Sequence, residues 1–143
     1  MLRWSPPPLD HNEIPEICRK ELVEWHRVIG DLGELLLGLM SEGLGFHADK
    51  FKEDSLLGER MMVGHYYPYC PQPDLTIGFT SHADPGGLTV LLVQDQSGKL
   101  QVKYDEGWVV LKPLPGALII NIGDFLQVIT NEEYKSVDHR VFS

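Results

Sequence analysis

The chain has 143 residues, 43% of them hydrophobic and 23% charged, with a formal net charge of −9 at pH 7. This is the composition of one globular domain, able to bury roughly 68–70% of its unfolded surface. The acidic balance argues against nucleic acid or an anionic membrane as partner, because phosphate binding needs a basic surface, and no apolar run approaches the length of a bilayer span. The two cysteines, Cys18 and Cys70, do not make a disulfide framework. The opening run Met1–Pro8 has no apolar core of the kind a secretory signal carries. A reducing, cytoplasmic setting is the expectation.

Residues 1–11 are proline-rich and read as an irregular arm. A helical pattern opens at Asn12, with Pro15 in its first turn, where a missing N–H costs least. Apolar residues then recur by threes and fours from Ile14 through Leu22, Trp25, Leu32 and Leu36 to Met40, which predicts one long amphipathic helix to about residue 43. Gly30, Gly33 and Gly38 within it each cost up to ~1 kcal/mol of helix propensity, and their spacing suits close approach of another backbone. Gly43 and Gly45 end the helix, and a short second helix is expected from His47 to Leu57. His26 and His47 read as surface or boundary residues.

After Gly58 the period changes from helical to alternating. Arg60–Tyr67 reads as a strand with Met61, Val63, His65 and Tyr67 on one face. Pro68 to Pro73 must be an ordered loop. Leu88–Gln94 is β-rich, Asp95–Gly98 a turn and Leu100–Tyr104 a strand. Asp105-Glu106-Gly107 is a hairpin turn into Trp108–Leu111. Pro113–Gly116 turns again before the apolar strand Ala117–Ile122. Phe125–Thr130 and Ser136–Phe142 are the last two segments, joined by a turn at Asn131-Glu132-Glu133. About seven short strands with frequent turns predict an antiparallel sandwich or jelly roll.

One stretch in this pattern carries chemistry. In His82-Ala83-Asp84, an extended backbone turns an imidazole and a carboxylate to the same face. His139 offers a third donor near the end of the chain. Two histidines and one carboxylate on one face of a metal, with the other face open, form the facial triad of non-haem Fe(II) oxygenases. By spacing alone, His82 and Asp84 read equally as surface residues at a turn.

The context settles more. The run His65-Tyr66-Tyr67-Pro68, then Cys70-Pro71-Gln72-Pro73, His82-x-Asp84, Leu88–Leu91, Leu100-Gln101-Val102, Trp108-Val109, Pro115–Asp124 and Lys135-Ser136-Val137-x-His139-Arg140 resembles the plant 2-oxoglutarate/Fe(II)-dependent dioxygenases. Among them it looks most like the 1-aminocyclopropane-1-carboxylate oxidase homologues. The resemblance implies a mainly β fold with N-terminal α, in which residues 1–58 are an arm and helical segment and residues 59–143 a double-stranded β-helix (jelly-roll) core. It implies His82, Asp84 and His139 as ligands of Fe(II), and Tyr67 as the hydroxyl on the tail carboxylate of 2-oxoglutarate. His65 falls where relatives carry a polar residue near the same cosubstrate, and also reads as a core histidine satisfied by its neighbours. Asn121 and Asp124 match positions expected to shape a tight turn. The activity implied is oxidation of a small organic metabolite by O2, with decarboxylation of the cosubstrate and ascorbate as a further additive.

The sequence also departs from that family pattern. Relatives carry a longer N-terminal region and an Arg-x-Ser pair beyond the distal histidine, whose arginine grips the cosubstrate in a charge-assisted contact. Here only Arg140 to Ser143 follow His139. Arg140 points away from the face His139 uses, so a compensating cation would have to be Lys103 or Lys112. The chain is therefore expected to lack both ends of the family architecture. Loss of such a contact costs ~1.5–3 kcal/mol, a roughly 10–150-fold weaker cosubstrate. The alternative reading is a non-catalytic metal-binding or interaction fragment of the same fold.

Overall fold

A computed structural model describes residues 2–3, 10–54, 56, 58–93 and 99–142. They fall into two compact units, Met1–His65 and Tyr66–Ser143.

In the first unit a short antiparallel pair joins β1 (Leu2–Arg3) to β2 (Met61–Met62), with Leu2 opposite Met62 and Arg3 opposite Met61. The main element is α1, Glu16–Gly43. It starts later than Asn12 because Pro15 pushes its predecessor out of the helical region: Ile14 is extended, at φ −82 and ψ 131. Asp10 caps a separate 3-10 turn at His11–Glu13 by accepting from the Asn12 amide at 2.9 Å. The buried residues of α1 are Gly30, Gly33, Leu37 and Ser41, one stripe at helical spacing.

Gly30 lies in that stripe, and a Cβ there would meet the Arg60 guanidinium, the movable end of a side chain; a Cβ on Gly38 would make an ordinary contact with the Ala48 carbonyl oxygen at 3.6 Å. The second helix is a single turn, α2 (Lys50–Glu53), shorter at both ends than the sequence suggests. Phe51 anchors it; this side chain is buried, and its amide donates to the buried Ser41 hydroxyl at 3.4 Å.

The expected strand Arg60–Tyr67 is reduced to Met61–Met62. A strand lasts only as long as its partner's ladder, and among the described residues β1 offers two. His65 and Tyr67 therefore do not share a strand face, and both are exposed in irregular chain.

The second unit is built of antiparallel strands. β3 (Ile77–His82), β8 (His139–Phe142), β5 (Leu100–Tyr104) and β6 (Gly107–Val110) form a four-stranded sheet in that order, and β4 (Leu88–Leu91) pairs with β7 (Ile119–Ile122). The Asp105-Glu106 turn into β6 is as expected, with Asp105 at φ 48. The expected turn at Asp95–Gly98 and the end of the β4 run at Gln94 lie outside the described residues. Phe125–Thr130, read with the strands, is instead part of a helix, α3 (Asp124–Ile129), with Gly123 at its N-cap. A six-residue segment with four apolar residues does not show its period; what decides is burial of Leu126, fully enclosed, on one helical face.

Candidate metal centre

The site lies where β3 and β8 run side by side. His82 is the last residue of β3 and its Cα partner is His139, the first of β8. The pairing next to it is Phe79 with Val141, so β3 uses three steps where β8 uses two. Strict alternation would put Phe79 and His82 on opposite faces; the extra residue of this bulge cancels the alternation. The two rings accordingly meet edge to face at 4.5 Å between centroids, and the His82 and His139 rings lie 4.2 Å apart.

Asp84 is not in the strand that carries His82. It sits in the turn between β3 and β4 and is fastened there by the start of α3. The Asp124 amide donates to the Asp84 carbonyl at 2.7 Å, Gly123 to Gly87 at 2.8 Å and Phe125 to Gly86 at 3.1 Å. Gly123 permits this approach, since a Cβ there would stand 2.8 Å from the Asp84 carbonyl oxygen.

The donor atoms converge. His82 Nε2 and His139 Nε2 are each 3.7 Å from the same carboxylate oxygen, Asp84 Oδ1. One ligand atom from each of the three residues lies within 4.8 Å of the others, and this is the only such cluster among the described residues. The opposite ring nitrogens are committed elsewhere: His82 Nδ1 is 2.8 Å from the Thr80 carbonyl and His139 Nδ1 is 3.2 Å from that of Val137. A carbonyl only accepts, so in each neutral ring Nδ1 carries the proton and Nε2 presents a lone pair. Three acceptors then face one another without a proton between them. That arrangement suits a cation, and two imidazoles with one carboxylate suit a divalent transition metal such as Fe(II).

The second carboxylate oxygen, Asp84 Oδ2, accepts from the Asn121 side-chain amide at 2.8 Å. Burial raises the Asp84 carboxyl, but hydrogen bonds from Asn121 and Thr89, together with the attraction of the His139 and His82 rings when these are protonated, outweigh it, and the net shift is downward. Asp84 is thus a carboxylate at neutral pH.

The sequence reading gave Asn121 a turn-shaping role and gave Thr89 none. A signal was present: Asn121 is the one polar residue in Ile119-Ile120-Asn121-Ile122, and a polar side chain in an otherwise apolar strand points to a specific partner.

Of the residues expected near the cosubstrate, Tyr67 packs in the second unit. Its Cε1 stands 3.3 Å from where a Gly78 Cβ would be, next to Val141. Burial raises its hydroxyl pKa, so it stays a neutral donor. His65 ends the first unit and is exposed. Lys103 faces Asp138, 3.8 Å away, and Lys112 is exposed after the end of β6. Arg140 lies on the face away from His139: it donates to Gln101 at 2.9 Å and stacks 4.0 Å over Trp108.

Comparison with known proteins bears on the whole arrangement. The chain is 48% identical over 139 residues to 1-aminocyclopropane-1-carboxylate oxidase homolog 11 of Arabidopsis thaliana, covering 97% of this chain and 38% of that protein. Homolog 1 from the same plant is 45% identical with the same coverage. The chain therefore spans little more than a third of the length of these relatives. Among solved structures it superposes on JOX2 in complex with 2OG, Fe and JA with a TM-score of 0.83 at 37% identity, covering 95% of this chain and 42% of that one. It also superposes on dioxygenase for auxin oxidation 1 of Arabidopsis thaliana, in complex with 2-oxoglutarate, with a TM-score of 0.75 at 25% identity, covering 92% and 49%. These oxygenases share the jelly-roll fold whose strands are seen here. The family model of the 2OG-Fe(II) oxygenase superfamily, whose members use Fe(II) and 2-oxoglutarate, matches residues 58–143, and the chain belongs to that superfamily.

Proposed function

We propose that this chain carries the metal- and cosubstrate-binding part of a 2-oxoglutarate- and Fe(II)-dependent oxygenase acting on a small organic metabolite. The observation that carries the reading is the convergence of His82 Nε2 and His139 Nε2 on one carboxylate oxygen of Asp84, with both Nδ1 atoms turned to backbone carbonyls. His82, Asp84 and His139 would hold the metal. Bound Fe(II) would supply the activation of O2, with the 2-oxo acid as the co-reductant that is decarboxylated to succinate and CO2.

The chain's own groups do the rest. The Thr80 and Val137 carbonyls fix the ring tautomers and so aim both Nε2 atoms. Asn121 and the amides of residues 123–125 hold Asp84 in place. Tyr67, as a neutral hydroxyl, would donate to the tail carboxylate of the cosubstrate. No side chain is needed as a general base, because the oxidation is the cofactor's chemistry.

The test is an anaerobic titration of 2-oxoglutarate into the Fe(II)-loaded chain, read by the visible charge-transfer band of the chelate. Appearance of the band at sub-millimolar 2-oxoglutarate is the expected result. Bound iron without a band would leave a metal-binding chain and contradict cosubstrate use.

A further inference from the structure

We propose that Asn121 is a positioning residue that keeps Asp84 a one-oxygen ligand, so that the metal retains adjacent open positions for a chelating cosubstrate. The inference rests on the functional reading above and goes beyond it.

A carboxylate can bind a metal through one oxygen or through both. Which mode it adopts depends on what the second oxygen is doing. At Asp84 the two oxygens have separate tasks. Oδ1 is the atom that both His82 Nε2 and His139 Nε2 face at 3.7 Å. Oδ2 accepts the Asn121 amide at 2.8 Å. To swing Oδ2 onto the metal, the carboxylate would have to break that part-buried bond and leave an amide donor unsatisfied.

The surrounding backbone makes Asn121 a fixed anchor. It lies in β7, where its Cα partner in β4 is Thr89, and Thr89 also hydrogen-bonds the Asp84 carboxylate. One cross-strand pair thus grips the carboxylate. Three residues further on, the Asp124 amide holds the Asp84 carbonyl at 2.7 Å. Side chain and backbone of Asp84 are therefore held by one continuous segment, Asn121 to Asp124. A three-ligand site keeps three positions of a six-coordinate metal free, of which a 2-oxo acid chelate takes two. A two-oxygen Asp84 would take one of them away.

The test replaces iron with Co(II), whose visible absorption reports coordination number without turnover. Wild type, Asn121→Ala and Asn121→Leu are compared for Co(II) affinity, for the Co(II) spectrum and for calorimetric binding of 2-oxoglutarate to the loaded chain. Asn121→Leu approximates the shape of the side chain and removes the donor without adding a charge beside Asp84, so it reports even if the alanine variant does not fold.

The expected result is an altered Co(II) spectrum in both variants and 2-oxoglutarate binding weakened ~10–100-fold, the range typical of groups that orient a metal ligand. A smaller change is expected in Co(II) affinity itself. Thr89→Val, which leaves the Asn121 bond in place, should lose less. If the variants match wild type in spectrum and in 2-oxoglutarate affinity, Asn121 only shapes the turn and the inference fails while the functional reading stands. If wild type binds no Co(II), the functional reading fails and takes this inference with it.

Discussion

The polar groups of the first unit contrast with one cluster in the second, where other charges also pair, as Lys103 does with Asp138. In the first, charge meets charge. Arg27 lies between Glu24 and Asp31, Lys50 pairs with Asp54, and Lys52 reaches Glu34 at 2.9 Å. The buried hydroxyl of Ser41 is matched to a backbone amide. In the second unit, at the ends of β3 and β8, three acceptors are aimed at one point instead. Packing alone explains the first arrangement. The second brings three ligand atoms to one point, an arrangement that a divalent cation would complete, and so it marks the candidate site.

The sharpest way to break this contrast is to remove one acceptor. Asp84→Ala should lower Fe(II) affinity by at least ~100-fold in equilibrium dialysis, because it deletes the only charged ligand. Wild-type affinity in this variant would show that the convergence is incidental. Next in size is a change in the first unit that touches no polar group. Leu37 is buried, and Leu37→Ala should lower the unfolding free energy by ~2–5 kcal/mol in denaturant titration. A negligible loss would mean that the α1 stripe is not a packed face.

A third test uses pH on the metal-free chain. The fold lowers the Asp84 pKa, so the ionised form is favoured in the folded state. That contribution is fully present above the ordinary carboxyl value of ~3.9 and is lost as pH falls from there through the folded value. Wild type should therefore lose stability more steeply than Asp84→Asn below about pH 4. Parallel curves would show that the carboxylate gains nothing from its neighbours. The smallest effect is expected at Lys52→Ala. Its ion pair with Glu34 is solvent-exposed, and the change in melting temperature should be slight and should shrink further in high salt. A large, salt-insensitive loss would contradict the account of the first unit as a surface of ordinary pairs.

Much of this was legible in the residues. The period of three and four from Ile14 to Met40 gave α1 its C-terminal end, and the motifs from Tyr67 to Arg140 gave the family and the jelly roll. The start of α1 was missed because the proline acts on its predecessor, Ile14, as much as on the helix. The strand at Arg60–Tyr67 was overdrawn because alternation within one segment says nothing about how long its partner is. Phe125–Thr130 turns out helical, which its sequence does not show, because four apolar residues in a six-residue segment fit either period.

At the site, the three convergent residues could be named from sequence, but not how they converge. The same-face argument for His82 and Asp84 assumed a continuous strand. The structure ends the strand at His82, uses a bulge to aim that ring, and fastens Asp84 from a segment nearly forty residues away. Bulges and long-range anchors depend on partner strands, and no local pattern displays them.

The most direct measurement is a stoichiometric anaerobic calorimetric titration of Fe(II) into the wild-type chain and into His139→Ala. The account predicts one ion per wild-type chain and loss of that binding in the variant, because His139 supplies one of the three converging acceptors. Equal isotherms for the two proteins, or no binding by wild type, would contradict it.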